Sequence, residues 1–388
     1  MSNQPGTKNL RAGVNCRLLC DVYYGYAFGD NPMKKSLHDS SRATEQLISR
    51  RKLFKAGLGS ASLVGAAVIG ASLDRSREAY AKEHHSPPGL GHHLMPAVVG
   101  EVDHARNGFN PTGILTDFDT GTVTKLPNGQ ALREYTIVAV NKVIEIVPGL
   151  EYMAWTYNGR IPGPTIRVRQ GDRVRIKFFN VGDHEHSIHF HGIHPGSMDG
   201  VFDAASGVVQ PGGDYTYEFE AEPYGVHLYH CHTTPLAKHI SKGLYGAFII
   251  DPKESRPRAD REFVMVMSGY DVDFDGKNDF YVVNGIPFHY DHDKNPIRLK
   301  VGELVRIYLV NILEFDPINS FHLHANFFHY YPTGTGLKAS EFTDTIALMQ
   351  GQRGILEFRY KYPGRYMFHA HKTEFAELGW TGVFQVEA

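Results

Sequence analysis

Short apolar and alternating stretches dominate the chain from Arg133 onward. Examples are the runs from Tyr135 to Val140 and from Val174 to Phe178, and Gly, Pro and Asp residues separate such runs. Alternation over so few residues predicts half-buried β-strands, and the sequence lacks long stretches with the 3.6-residue period of a helix. We therefore expect an all-β fold in which antiparallel sheets pack face to face as β-sandwiches.

The pattern occurs twice along this part of the chain. Asn158-Gly159 followed by the run from Pro164 returns later as Asn284-Gly285 followed by the run from Pro296. Each copy then carries one His-x-His pair in its middle and another near its end. An internal repeat of this size indicates two tandem domains of one fold, which we place at residues 133–255 and 256–388. The boundary lies in a charged segment that contains Pro252 and Pro257.

The beginning of the chain has a different character. Arg50 and Arg51 precede an uncharged stretch that runs to about Leu73, and Ala79 and Ala81 occupy the A-x-A positions of a signal-peptidase site. This order is typical of a twin-arginine export signal. The alternative is a transmembrane anchor. The stretch is shorter and richer in Gly and Ala than a typical membrane-spanning helix, which favours the export signal. We predict that residues 1–81 are removed, which leaves a periplasmic or secreted chain with no membrane span.

Residues 82–132 are expected to form a linker or N-terminal extension. Its first part places His84, His85, His92 and His93 among Pro and Gly residues. A metal-loading tail is one interpretation. A disordered, solvated start is the other, because nothing in this stretch imposes a ligand geometry.

Composition narrows the chemistry of the two domains. The chain has 388 residues and a net charge of −2, so its charge suggests no nucleic-acid or anionic-membrane partner. It contains 22 histidines but only 3 cysteines. Cys16 and Cys20 lie in the region predicted to be removed, which leaves Cys231 alone. A disulfide within the mature chain is thereby excluded, and this thiol must be free, buried or metal-bound.

Four His-x-His pairs lie at equivalent places in the two copies. They are His189 with His191, His230 with His232, His322 with His324, and His369 with His371. Residues i and i+2 of a strand point to the same face, so each pair can aim two imidazoles at one point. A single pair is also compatible with a polar strand face, but four pairs in register across a repeat indicate metal binding. Imidazole suits copper, zinc, iron and nickel alike.

Cys231 indicates which of these metals the chain binds. It lies between His230 and His232, so its side chain points to the opposite strand face from theirs. His186 precedes His189, and His239 follows Cys231 in a loop. One thiolate and two imidazoles with a weak axial ligand describe a blue-copper site.

The axial place of this site falls at Leu244, five residues past His239. A leucine cannot coordinate, which should destabilise Cu(II) and raise the reduction potential. The second domain has Asn319, Ala370 and Leu378 where the first has His186, Cys231 and His239. We therefore expect one blue copper per chain, separate from the metal group of the His-x-His pairs.

These residues belong to three motifs of one family. The motifs are Trp155-x-Tyr157-Asn158-Gly159 before Pro162-Gly163-Pro164, His189-Phe190-His191-Gly192 with Asp199-Gly200 downstream, and His230-Cys231-His232. With them the chain resembles multicopper oxidases, the laccase-type cupredoxin proteins, over nearly all of its length after the linker. It is most similar to the two-domain class with its blue copper in domain 1. The resemblance implies two tandem cupredoxin-like Greek-key β-sandwich domains.

The resemblance also implies four coppers per chain and assigns their ligands. These are His186, Cys231 and His239 for a type 1 copper with Leu244 at its axial place, His189 and His322 for a type 2 copper, and His191, His230, His232, His324, His369 and His371 for a type 3 pair. His239 follows Cys231 at a longer spacing than in laccases, more like that of copper nitrite reductases.

Several other polar residues are open to two interpretations. Asp199 matches an acidic residue that helps proton delivery in the family, and the alternative is a turn Asp before Gly200. Glu374 and Glu377 are candidate proton relays or plain loop residues. Six histidines have no repeat partner and are expected at the surface or in the linker: His184, His194, His227, His289, His292 and His329. For His194 and His329, the alternative is that each orients a metal ligand through a hydrogen bond.

Three functions are compatible with these residues. The first is an oxidase that takes electrons from a phenol-like or metal-ion reductant at the type 1 copper, near His239 at the surface, and reduces dioxygen to water. The second is a copper-containing nitrite reductase, a family that lacks a histidine at the place of His232. The third is a copper store or electron carrier without enzymatic activity. Because each domain holds half of the cluster histidines, the cluster must form where a face of domain 1 meets a face of domain 2. One chain could achieve this internally, whereas the resemblance implies a homotrimer with clusters between chains.

Overall fold

The computed structural model describes residues 101–388 apart from 206, 255, 292 and 294. The predicted export signal and the His-rich start of the linker therefore lie outside the described residues. The strands of domain 1 are β1 (Phe118–Asp119), β2 (Thr122–Lys125), β3 (Ala131–Val147), β4 (Leu150–Tyr157), β5 (Thr165–Arg169), β6 (Arg173–Asn180), β7 (His189–Phe190), β8 (Asp214–Glu220), β9 (Gly225–His230) and β10 (Tyr245–Asp251).

Domain 2 follows with eleven more strands in the described part of the chain. They are β11 (Arg261–Tyr270), β12 (Phe280–Val283), β13 (Ile297–Lys300), β14 (Val305–Asn311), β15 (Ile318–Leu323), β16 (Phe328–Pro332), β17 (Glu341–Thr343), β18 (Thr345–Met349), β19 (Arg353–Phe358), β20 (Gly364–His369) and β21 (Thr381–Glu387). The short helices are α1 (His104–Asn107), α2 (Pro111–Ile114), α3 (Leu236–Ser241) and α4 (Thr373–Glu377), with a 3-10 turn at Gly196–Met198. The all-β prediction is confirmed.

Each domain is a sandwich of two sheets with matching strand order. Domain 1 has a sheet β1-β5-β10-β9-β7 facing β2-β3-β6-β8, and β4 also pairs with β3. In domain 2, the order β13-β21-β20-β15-β18 repeats the first of these sheets and β12-β11-β14-β19-β16-β17 the second. The internal repeat seen in the sequence is thus a repeat of topology.

The sheets differ from the prediction in one respect, because they are mixed rather than purely antiparallel. Strands β3 and β6 pair in parallel, as do β5 and β10, and domain 2 repeats both arrangements. In a Greek-key sandwich the chain crosses between the sheets, which brings strands of the same direction side by side.

The Asn-Gly turns of the repeat are structural equivalents. Asn158 and Asn284 both adopt a positive φ, of 56° and 55°, which asparagine tolerates better than most residues. The Asn158 side chain accepts from the Val138 amide and donates to a carbonyl of the same strand, β3. Asn284 makes the same pair of hydrogen bonds to β11, starting with the Val266 amide. The repeated motif therefore ties each turn to the neighbouring strand.

An apolar interface joins the two domains. Val226, Leu228 and Ile249 of domain 1 belong to one buried cluster with Val264 and Val310 of domain 2. Burying such side chains removes apolar surface from water on both sides, so the contact stabilises a fixed arrangement of the domains.

The segment 101–132, expected to be an extension, is largely part of the folded body. Val102, Phe109 and Ile114 are buried in the interdomain cluster. Strand β1 pairs with β5 and strand β2 pairs with β3, so both extend the sheets of domain 1. The sequence signal was weak here because these strands have 2 and 4 residues, which is too short to show a period.

Candidate copper centres

Strand pairing brings the sequence-distant histidine pairs together. In domain 1, β7 pairs with β9 so that His189 lies opposite His230. In domain 2, β15 pairs with β20 so that His322 lies opposite His369. Each antiparallel pair of strands therefore places two His-x-His motifs side by side at one end of a sheet.

Three side chains converge beneath this end of domain 1. The Nδ1 atom of His186 lies 3.2 Å from Nδ1 of His239, and Cys231 Sγ lies 3.3 Å from His239 Nδ1 and 3.9 Å from His186 Nδ1. Cys231 points to the opposite side from His230, as the alternation of a strand predicts. One sulfur and two imidazole nitrogens at these separations fit the donor set of a blue-copper ion.

Burial prepares the two imidazoles to act as ligands. His186 and His239 are almost fully buried, and burial lowers the pKa of His186 to about 3 and that of His239 to about 4. Both rings are therefore neutral near pH 7, with a lone pair available for a metal. Burial also raises the pKa of the Cys231 thiol, so metal binding must displace its proton.

The surroundings of this group are apolar and aromatic. The Trp155 ring lies 5.2 Å from the His186 ring and 4.7 Å from the His239 ring, measured between centroids. Leu244 is fully buried in the same core as Cys231, and its carbonyl accepts a hydrogen bond from the Cys231 amide at 2.9 Å. The Thr233 hydroxyl lies 3.4 Å from Cys231 Sγ.

His239 differs from its expected position at the surface. It lies in α3 and only 3% of it is exposed, because Trp155 packs over its ring. The exposed imidazole next to this group is instead that of His184, whose ring centroid lies 4.5 Å from that of Trp155.

Among the described residues of the second domain, none form an equivalent of the three-ligand group at the matching place. Asn319 and Ala370 are buried in the core there, and the Asn319 side-chain nitrogen has no hydrogen-bond partner. An amide and a methyl group cannot replace an imidazole and a thiolate as ligands of a soft metal.

Four imidazoles form a group at the surface end of domain 1, which we call half-site 1. It comprises His189, His191, His230 and His232. The Nε2 atoms of His191 and His230 lie 2.9 Å apart, and the ring centroids of His189 and His232 lie 5.0 Å apart. His230 Nδ1 donates to the Cys231 carbonyl at 2.8 Å, which leaves its Nε2 as the lone-pair atom.

Domain 2 carries the same geometry in half-site 2. It comprises His322, His324, His369 and His371. The Nε2 atoms of His324 and His369 lie 2.9 Å apart, and the rings of His322 and His371 lie 5.0 Å apart. His369 Nδ1 donates to the Ala370 carbonyl at 2.8 Å, as His230 does to Cys231 in the other domain.

The two half-sites are separate groups within one chain. Among the described residues, no close grouping of possible metal ligands combines histidines of half-site 1 with histidines of half-site 2. In half-site 2 the His371 side chain is exposed and the other three histidines are partly exposed. Each half thus presents imidazoles toward the outside of its own domain.

Asp199 lies next to half-site 1. Its Oδ1 atom is 2.9 Å from His189 Nδ1 and 3.5 Å from His194 Nε2. The Asp199 backbone carbonyl is also 2.9 Å from His189 Nδ1. Both acceptors fix the Nδ1 proton of His189 and direct its Nε2 toward the other imidazoles.

The remaining candidate residues lie outside the two half-sites. His194 contacts Asp199, His184 contacts Trp155, and His227 lies between two backbone carbonyls. The His289 ring forms a hydrogen bond with the Thr112 hydroxyl, and the His329 ring packs against the Phe342 ring in a tilted arrangement. Glu374 and Glu377 lie in α4, where Glu374 pairs with Lys372 at 3.5 Å. His292 lies outside the described residues.

Two serines support the cluster histidines and were missed at the sequence level. The Ser187 hydroxyl accepts from the His232 amide at 3.2 Å, and the Ser320 hydroxyl accepts from the His371 amide at 2.8 Å. The signal that could have identified them is the repeat itself, because each serine lies two residues before the first histidine of a pair, His189 or His322.

Comparison with known proteins agrees with this geometry. Multicopper oxidase family models match residues 140–255 and residues 263–388. A solved structure described as a multicopper oxidase is 60% identical, covers 74% of this chain and 100% of its own, and superimposes with a TM-score of 0.72. The chain belongs to the multicopper oxidases, a cupredoxin-like family of copper-binding oxidoreductases.

Nitrite reductases are also similar to this chain. The copper-containing nitrite reductase of Neisseria meningitidis is 31% identical over 250 residues, which are 60% of this chain and 63% of the relative. The chain thus spans a little less than two thirds of that relative. The structure of a copper nitrite reductase from Nitrosomonas europaea is 29% identical, covers 66% of this chain and 94% of its own, and has a TM-score of 0.61.

In the part of the chain that the structure describes, no helix is both long and apolar enough to span a membrane.

Proposed function

We propose that the chain is an oxidase that takes single electrons from a reductant and transfers four of them, with four protons, to dioxygen to form two waters. Bound copper ions supply the one-electron redox chemistry of this reaction. The observation that carries the proposal is the equal geometry of the two half-sites, each with an Nε2 pair at 2.9 Å. Eight imidazoles in two matched sets fit a three-copper cluster better than one type 2 copper.

The chain's own bonds connect the two kinds of site. Cys231 belongs to the three-ligand group, and its immediate neighbours His230 and His232 belong to half-site 1. An electron that arrives at the thiolate therefore has a short covalent route to either imidazole. Asp199 holds the Nδ1 proton of His189 and is the described carboxylate closest to half-site 1, which suits a group that delivers protons there.

The reductant approaches the Trp155 side of domain 1. His186 and His239 are too deeply buried for contact, whereas Trp155 touches both rings and also the exposed His184. The ammonium groups of Lys238 and Lys242 lie 5.2 Å and 5.5 Å from the Trp155 ring. The exposed Lys238 and the buried Lys242 place positive charge next to Trp155, which disfavours a metal cation and favours an uncharged or anionic reductant such as a phenol.

The cluster forms between chains in this proposal. Half-site 2 borders an open cleft of about 780 Å³ that His322 and His324 line together with the exposed Phe342 and Tyr362. Half-site 1 of a second chain would complete the histidine set there. A head-to-tail contact of this kind either closes into a ring or continues as a filament, and closure by three chains would give a homotrimer with three clusters and four coppers per chain. We further propose export to the periplasm or the medium.

A nitrite reductase is the second candidate, because such enzymes are among the relatives. His232 distinguishes the two proposals, because copper-containing nitrite reductases have no histidine at that position. Copper-loaded protein and the His232→Ala variant should be compared for copper content, oxygen uptake with a phenol, and nitrite turnover. Oxygen uptake that is lost in the variant, while its blue colour remains, supports the oxidase. Two coppers per chain with nitrite turnover that survives the substitution would overturn it.

A further inference from the structure

A second cleft of about 780 Å³ lies where the two domains meet. Strands β3, β5 and β10 of domain 1 line one side, and β11 and β14 of domain 2 line the other. Residues of the connection between the domains also line it, namely Pro252, Arg256, Arg258, Ala259 and Asp260. None of the described residues that line this cleft is a predicted copper ligand.

The cleft carries an excess of positive charge. Three acidic side chains line it, namely Asp251, Asp260 and Glu262. Six arginines line it, namely Arg133, Arg167, Arg169, Arg256, Arg258 and Arg306. We call it the arginine cleft.

The acidic groups are already engaged. Asp251 accepts two hydrogen bonds from Arg167, at 2.8 and 3.0 Å. Glu262 accepts from both Arg167 and Arg306. Asp260 accepts from the Leu304 amide at 2.7 Å. These carboxylates pair with Arg167 and Arg306, and Arg133 pairs with Asp172, which does not line the cleft.

Three arginines of the cleft form no ion pair with any described residue. Arg169 donates to the Lys253 carbonyl, and Arg256 donates to the carbonyls of Gly334 and Gly336. Arg258 is exposed. Arg256 is half-buried over the Tyr331 ring, 4.9 Å from its centroid. Burial and the neighbouring Arg306 lower the pKa of Arg256, as expected for a cation that lacks a counterion.

We propose that the arginine cleft binds a small multivalent oxyanion between the two domains. Planar guanidinium groups match phosphate and carboxylate oxygens with paired hydrogen bonds, which a single ammonium cannot do. The cleft is assembled from both domains and their connection, so such a ligand binds the folded chain and not the unfolded one. Binding must therefore raise the temperature of unfolding. The proposal is independent of the copper sites.

The test is thermal unfolding of the copper-loaded protein titrated with inorganic phosphate, with sulfate and succinate as the other probes. Sodium chloride keeps the ionic strength constant, since general screening would otherwise shift the transition. Phosphate should raise the midpoint in a saturable manner. Sulfate and succinate show whether phosphate or carboxylate chemistry is preferred. The blue colour is recorded in parallel to exclude extraction of copper.

The Arg169→Gln/Arg258→Gln variant removes two exposed side chains that pair with no described carboxylate, so it should fold normally. Its apparent affinity for phosphate should fall by about tenfold or more, the effect of losing a charge-assisted hydrogen bond. Arg258→Gln alone should show a smaller loss. The matched control is Arg298→Gln, an exposed arginine outside the cleft that pairs with Glu387. A midpoint that no probe raises at constant ionic strength, or an equal rise in the double variant, would overturn the proposal.

Discussion

The Nδ1 atoms of His186 and His239 face each other at 3.2 Å in the interior of domain 1. The two residues are far apart in sequence, one in the loop before β7 and the other in α3. Their convergence on Cys231 shows that the fold itself arranges this donor set. A metal that enters the group gains three ligands without a large rearrangement of the chain.

Replacing Cys231 with serine should abolish the blue colour. A hydroxyl oxygen is a poor ligand for a soft copper ion compared with a thiolate. Oxidase turnover should be lost, while much of the cluster copper remains because the half-site histidines are unchanged. Visible absorption and copper analysis of the purified variant measure both effects.

Thr233→Val is the control for this substitution. The Thr233 hydroxyl lies 3.4 Å from Cys231 Sγ without being a predicted ligand. The variant should stay blue with a shifted absorption band, since it removes a hydrogen bond to the sulfur and not the sulfur itself. A blue Cys231→Ser protein would show that the ligand assignment is wrong.

Asp199→Asn should slow oxygen reduction and leave the blue colour unchanged. The carboxylate contacts His189 at 2.9 Å but none of the three blue-copper ligand candidates. Loss of a partner that orients a metal ligand typically costs about 10- to 100-fold in metal affinity or activity. Steady-state oxygen uptake at fixed copper content measures the loss.

The exposed Asp203 provides a matched control for Asp199. Asp203→Asn makes the same chemical change four residues away and should retain normal turnover. Equal turnover of the Asp199 variant and the parent protein would assign Asp199 to the turn before Gly200 and to no catalytic role.

Two inactive variants should restore activity when they assemble together. One carries His189→Ala and His191→Ala in half-site 1, and the other carries His369→Ala and His371→Ala in half-site 2. After joint unfolding and refolding with copper, about one quarter of the interfaces should combine two intact halves if the chains mix at random. Oxygen uptake of the mixture measures the recovery.

Each variant refolded alone is the control and should stay inactive. Sedimentation of the parent protein gives its oligomeric state independently. A monomer that is active and copper-replete at all concentrations would exclude a cluster shared between chains.

Glu262→Gln should destabilise the protein near neutral pH. Glu262 accepts hydrogen bonds from Arg167, Arg306 and the Tyr308 hydroxyl. Burial alone would raise the pKa of Glu262, but these partners, led by Arg167, hold its pKa below the usual value of 4.5. Losing hydrogen bonds to a charged group should lower the free energy of unfolding by about 1–3 kcal/mol.

The effect of Glu262→Gln should depend on pH in one direction. A depressed folded-state pKa contributes stability that is complete above pH 4.5 and is lost as the pH falls through the folded-state value. The difference between variant and parent should therefore shrink in acid. Denaturant unfolding from pH 7 downward, with the exposed Glu254→Gln as control, measures it. A difference that stays constant with pH would contradict the assignment.

The sequence by itself determined the local geometry of the candidate sites. Because side chains alternate along a strand, His230 and His232 had to share one face and Cys231 had to take the other. The internal repeat also showed that Asn319 and Ala370 replace two ligands of domain 1, so one blue-copper group per chain could be predicted. These inferences depend only on residues that are close together in sequence, because backbone geometry fixes the relative positions of such residues.

The tertiary structure alone decided what depends on packing between distant segments. It buried His239 behind Trp155, added β1 and β2 to the sheets of domain 1, and placed β3 beside β6 in parallel. It also separated the two half-sites and assembled the arginine cleft from both domains. No local period encodes these distances, because they result from the apolar side chains of remote strands being buried together.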